Sequence, residues 1–110
     1  MDHLATRHCQ PCEGGEPLSQ ERVRDLLGQV AEWSLDPAGK SISRTFGFKN
    51  FYQTMAFVNA VAWIAHGEDH HPDLEVSYRS CRVRYSTHAV GGLSDNDLIC
   101  AARVNQLLSR

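Results

Sequence analysis

From Ser19 to Val30 the apolar residues Val23, Leu26, Leu27 and Val30 recur at helical spacing, with Ser19 placed to cap the first turn and Glu21 suited to its positive end. That pattern predicts a short amphipathic helix. The period then changes to two: Trp33 to Leu35 and Ser41 to Phe48 read as strands, with Ile42, Phe46 and Phe48 sharing a parity and Asp36, Pro37 and Gly39 marking the turn between them. This is a hairpin. Asn50 offers a cap to a long helix reaching about Gly67, in which Phe51, Met55, Val58, Ala62 and Ala65 repeat at four and three. A second set (Ala56, Phe57, Ala60, Val61, Trp63 and Ile64) widens the apolar surface past a single stripe. So broad a surface calls for two partners, the helix's own sheet and another subunit.

Pro72 closes this region, because the residue before a proline is pushed out of helical angles, and the chain turns extended through Leu74, Val76 and Tyr78. Cys81, Val83, Tyr85 and Thr87 then alternate with Arg82, Arg84, Ser86 and His88, giving a strand with one apolar face and one polar face that ends on His88. Gly91 and Gly92 break it. Ser94 to Asp97 has the form of a capping box with Asp in place of Glu, and it opens a last helix holding Leu98, Ile99, Ala101, Ala102, Leu107 and Leu108. The order α-β-β-α-β-β-α predicts an α+β fold, a four-stranded antiparallel sheet with three helices on one face. Residues 1–17 mix Cys, Pro, Gly and charge without periodicity and read as an irregular lead-in, either lying over the domain or mobile; residues 18–110 form the domain.

A chain of 110 residues, 42% hydrophobic and 22% charged, fits one domain with a small core, so an apolar face left over after folding would be covered by a second copy. Eleven Lys and Arg against thirteen Asp and Glu leave a net charge of -2, which disfavours direct nucleic-acid binding and anionic membranes. No apolar run has signal-peptide or membrane-spanning length, so a cytoplasmic location is expected. Four cysteines, Cys9, Cys12, Cys81 and Cys100, are too few and too unevenly spaced for a secreted disulfide framework. Cys9 and Cys12 form a CxxC with Pro11 inside; a zinc site there would need two more ligands, for which His3, His8 or a symmetry mate would have to serve. Cys81 and Cys100 read as small core residues.

The chemistry concentrates in His66, His70, His71 and His88, four of the six histidines. An imidazole with a pKa near ~6.5 can give a proton and take one back at cellular pH. His66 and His70 are four apart, so a helix continuing that far would stack them on one face, with His71 and Pro72 where it unwinds. His88 comes from the tip of a neighbouring strand, and a cleft between a helix end and a strand end suits a small ligand. Hydrogen-bonded structural imidazoles and metal ligation are the competing readings, and Asp97 reads first as the capping partner of Ser94.

His66, His70, His71, Pro72, Tyr78, His88 and Asp97 together meet a spaced pattern, and here the chain resembles the pterin-4a-carbinolamine dehydratases. The stretches YSTHAVGGLSDNDLICAAR and WSLDPAGKSISRTFGFKNFYQTMAFVNAVA are similar to family members in order and spacing, and the likeness covers about residues 18–108. The resemblance implies a hydro-lyase that removes the 4a-hydroxyl of 4a-hydroxytetrahydropterin to give quinonoid dihydropterin, without metal or separate cofactor, in tetrahydrobiopterin recycling. By position it makes His70 and His88 the leading acid and base, His71 a second donor or orienter and His66 an assistant. Backbone around His70 to Pro72 and Thr87, Ala89 and Val90 would hold the pterin, and Asp97 and Tyr78 would support the site. His66 stands where the family often has Glu and cannot supply a fixed negative charge; Glu68, two residues on, falls on a different side of a helix. Family members are often tetramers, and some are dehydratase-like scaffolds, assembly factors or coactivators, which is the alternative function.

Overall fold

Alternation along two central strands sets the architecture. In the structure, a computed structural model describing residues 4–11 and 14–108, β2 (Ile42–Gly47) pairs antiparallel with β4 (Ser80–Tyr85), placing Ile42 opposite Tyr85, Arg44 opposite Val83 and Phe46 opposite Cys81. Those positions face the core. β1 (Ser34–Leu35) adds beyond β2 and β3 (Asp73–Val76) beyond β4, giving an antiparallel sheet of order β1-β2-β4-β3. On the other face Arg82 and Arg84 stand among Ser43 and Thr45 and reach Glu75 and Asp73 at 2.6 Å each. Among the described residues that face stays polar and free of helices.

The helices α1 (Gln20–Leu27), α2 (Phe51–Glu68) and α3 (Asp95–Gln106) follow the predicted order. Ser19 and Asn50 cap the first two as expected, accepting from the backbone N–H groups of Arg22 at 3.1 Å and Gln53 at 2.8 Å. Trp33, rather than opening β1, is buried against Phe46 and Tyr85, and its indole N–H donates to Asn105 at 2.8 Å. Arg44, on the core side of β2, lies 4.4 Å over the Phe46 ring and shares the same Asn105 oxygen.

The long helix differs from the simplest reading of its periodicity. Thr54, Phe57, Val61 and Ala65 face the core, whereas Phe51 and Ala62 of the first stripe are exposed. Thr54 escapes an apolar search because its hydroxyl is satisfied within the fold, donating to the carbonyls of Asn50 and Tyr78 at 3.0 Å. Tyr52 and Trp63 remain 82% and 76% exposed on the outer side. No helix among the described residues is long and apolar enough to cross a membrane. Of the two alternatives for the lead-in, residues 4–11 lie over the domain: Leu4–Thr6 form a 3-10 turn that buries Leu4 and Ala5 against α3. Cys12 lies outside the described residues.

Candidate active site

The site is built where α2 ends. Asp69 takes the left-handed conformation (φ 51°), one that a short polar side chain tolerates, and the chain turns sharply out of the helix. The His70 N–H then closes the turn on the Ala65 carbonyl at 3.1 Å. His70 is thereby carried inward, stacked on Tyr85 with ring centroids 5.7 Å apart and planes within 8°. His66 stays behind on the outer surface, its ring 6.4 Å from Trp63. The expected stacking of His66 on His70 therefore does not form, because the turn at Asp69 separates them.

Asp97 organises the rest. Its side chain is fully buried, and both roles open to it in the sequence are filled at once. One carboxylate oxygen lies 2.6 Å from His70 Nε2; the other accepts from Thr87 Oγ1 at 2.8 Å and from the Ser94 N–H at 3.0 Å, completing the capping box of α3. Burial alone would lower the His70 pKa, but the hydrogen bond and charge of Asp97 outweigh it and raise the imidazole above its ordinary value. With Nε2 committed to Asp97, Nδ1 is the nitrogen left for other chemistry.

β4 stops at Tyr85, short of His88. Thr87 bridges to Gly92 across a tight loop, its N–H donating to the Gly92 carbonyl at 2.7 Å, and Gly91 (φ 68°) supplies the left-handed step that closes it. Gly92 packs closely under Pro17: a Cβ there would sit 3.0 Å from the Pro17 side chain, which would have to give way. His88 opens a 3-10 turn (His88–Val90) and projects, exposed, from this loop.

Between the end of α2 and this loop lies a cavity of about 630 Å³, within the range of roughly 300–1,000 Å³ common to small-ligand sites. His70, His71, His88, Thr87 and Ala89 line it. Of the other predicted residues, Asp97 stands behind His70, Tyr78 stacks on Phe51 at 6.0 Å, and His66, Pro72 and Val90 are not among the lining residues.

Glu68 does line the cavity, as do Asn96 and His8 to Pro11, none of which the sequence singled out for this role. Burial opposes the Glu68 charge, yet the Cys9 N–H, His8 and Arg103 together hold its carboxyl below the ordinary range. The Cys9 thiol lies 3.5 Å from that of Cys100, and the hydrogen bond between them, with burial, pushes it well above the usual thiol range. No group of three or more His, Cys, Asp or Glu able to hold a metal ion occurs among the described residues.

Fold and cavity together define a small α+β protein whose cleft is lined by four histidines, His8, His70, His71 and His88, from three separate segments. The family profile described as Pterin 4 alpha carbinolamine dehydratase matches residues 16–107. A curated protein of Nitrosospira multiformis bearing that family's name is 58% identical over 108 residues, spanning 97% of this chain and 94% of the relative. The chain belongs to the pterin-4a-carbinolamine dehydratase family. Among solved structures, a transcriptional coactivator/pterin dehydratase from Brucella melitensis superposes with a TM-score of 0.81 at 26% identity, covering 86% of this chain and all of that one. A pterin dehydratase-like protein described as a RuBisCO assembly factor in the alpha-carboxysome shares the fold, with a TM-score of 0.61 at 21% identity over 69% of this chain and 88% of its own.

Proposed function

We propose that the protein is a 4a-hydroxytetrahydropterin dehydratase, a hydro-lyase of tetrahydrobiopterin recycling in the cytoplasm. The observation that carries this reading is the placement of His70, His71 and His88 around one cavity, with His70 held by a buried carboxylate. Loss of the 4a-hydroxyl needs a proton delivered to the leaving oxygen and another removed from the adjacent ring nitrogen. Two imidazoles supply both, and no metal or further cofactor enters the proposed step. His70 Nδ1 and the His88 ring are the proton-transfer groups; His71 orients the ring or donates to it, while Thr87, Ala89 and the backbone near Pro72 and Val90 hold the pterin. Asp97 is a positioning residue and Tyr78 a structural one. His66, on the outer side of α2, has at most an indirect part. Mixing the protein with 4a-hydroxytetrahydropterin and following ultraviolet absorbance tests the proposal: formation of quinonoid dihydropterin faster than in buffer is expected, and no acceleration defeats it.

We also propose a homo-oligomer through α2. Tyr52, Ala56, Asn59, Trp63 and His66 share one helical face by spacing, and two large exposed aromatics there leave apolar area that a second copy would cover. Light scattering at micromolar concentration should give a multiple of the chain mass, and Trp63→Glu should shift it toward the monomer; a monomeric wild type counts against it. The same exposed face favours a second reading, a scaffold or coactivator that binds protein without catalysis. Silence in the dehydration assay with a protein partner held on Tyr52 and Trp63 would select it.

A further inference from the structure

We propose that residues 8–11, anchored through Arg7, are a built wall of the ligand site and that His8, aimed by Glu68, contacts the bound pterin. The inference rests on the cavity being the pterin site, but nothing in the family match assigns these residues, since the profile begins at residue 16.

Three side chains from α2 and α3 grip the backbone of this segment almost residue by residue. Arg103 donates to the Arg7 carbonyl at 3.0 Å through Nε. Glu68 accepts from the Cys9 N–H at 2.7 Å. Asn96 binds both backbone groups of Gln10, accepting from its N–H at 3.0 Å and donating to its carbonyl at 2.7 Å. Arg7 adds an ion pair to Asp95 at 3.1 Å. A lead-in merely resting on the surface has no need of so many side chains turned to its backbone, and each such bond fixes direction as well as proximity.

What the grip presents to the cavity is chemical. His8 Nδ1 lies 2.9 Å from the second oxygen of Glu68, beside Arg103 at 3.4 Å from the same nitrogen. That carboxylate side chain is only 9% exposed, whereas the His8 side chain is 74% exposed. The buried partner orients the ring through Nδ1, and Nε2 is the ring nitrogen left for a ligand. Glu68 thus brings a carboxylate to the site that His66 cannot supply, and uses it to aim a fourth imidazole at the cavity that His70, His71 and His88 already line. Glu68, Asn96 and Arg103 are positioning residues, acting through the segment they hold.

The test uses the full chain and 7,8-dihydrobiopterin as probe, with amide exchange by mass spectrometry beside steady-state kinetics. Probe binding should slow exchange at Cys9 and Gln10. His8→Ala, at an exposed side chain, should raise KM about 3- to 10-fold with kcat within about twofold, the signature of a lost binding contact. Asn96→Ala should speed exchange at Gln10 and raise KM likewise, and Asn96→Asp, which keeps the acceptor for the Gln10 N–H, should recover part of both. Wild-type KM in His8→Ala, or probe binding that leaves exchange in residues 7–11 untouched, overturns the inference. A wild type that binds the probe but does not dehydrate defeats the proposed function alone, and exchange together with probe affinity then decides the wall. A wild type that does not bind the probe sinks both.

Discussion

His70→Ala and His88→Ala are each expected to lower kcat for 4a-hydroxytetrahydropterin by about 10²- to 10⁴-fold, the range for removing one positioned proton donor or acceptor. The two should differ in how they fail. His70 is fixed by stacking on Tyr85 and by Asp97, so its loss removes a preorganised group and leaves the buried Asp97 carboxylate without that partner. His88 sits exposed on a short loop, so its loss removes a proton-transfer group with little effect on the fold. The double variant should retain little acceleration over buffer. A His70→Ala protein that folds, binds pterin and turns over at the wild-type rate would rule out the acid–base assignment, and a wild-type rate in His88→Ala would move the second proton to His71.

The sheet and the order of its elements were legible because β4 alternates cleanly, one face apolar and the other carrying Arg82 and Arg84, and β2 keeps the same period with Arg44 the one charged residue on its core side. The first and third helices were legible through their caps at Ser19 and Ser94. The orientation of α2 was not: an 18-residue helix apolar nearly all round has no periodic signal that selects the face meeting the sheet. The histidine site was half legible. His70, His71 and His88 stood out by residue type, but the separation of His66 from His70 depends on one left-handed residue, Asp69, which spacing along a helix cannot reveal. Nor could the part played by residues 7–11 be read. Their order comes from side chains about 60 to 96 positions away, and a segment held by its backbone leaves no pattern in its own residues.

Asp97→Ala should destabilise the fold by about 3–5 kcal/mol, the cost of breaking a buried, hydrogen-bonded pair by removing one partner. Three donors converge on that carboxylate from α2's end, the β4 loop and α3's cap, so truncation strands His70 Nε2 and the Ser94 N–H together and leaves Thr87 Oγ1 only its bond to Ser94 Oγ at 2.8 Å. Asp97→Asn separates stability from chemistry. Its oxygen can still serve Thr87 and Ser94, but its amide then faces His70 Nε2 as a donor and forces the imidazole into the other tautomer, with the proton on Nδ1. Stability should fall less than in Asp97→Ala, while kcat falls about as far as in His70→Ala. The pH dependence has a definite sign. The folded pKa of His70 is raised above its ordinary 6.5, so the ionic part of the pair stabilises fully below that value and is lost as pH rises through the folded pKa. Urea unfolding should therefore show a wider stability gap between wild type and Asp97→Asn at about pH 6 than at about pH 9. A gap independent of pH would mean that Asp97 acts on His70 as a neutral acceptor only, and one that widened with pH would contradict the raised imidazole outright.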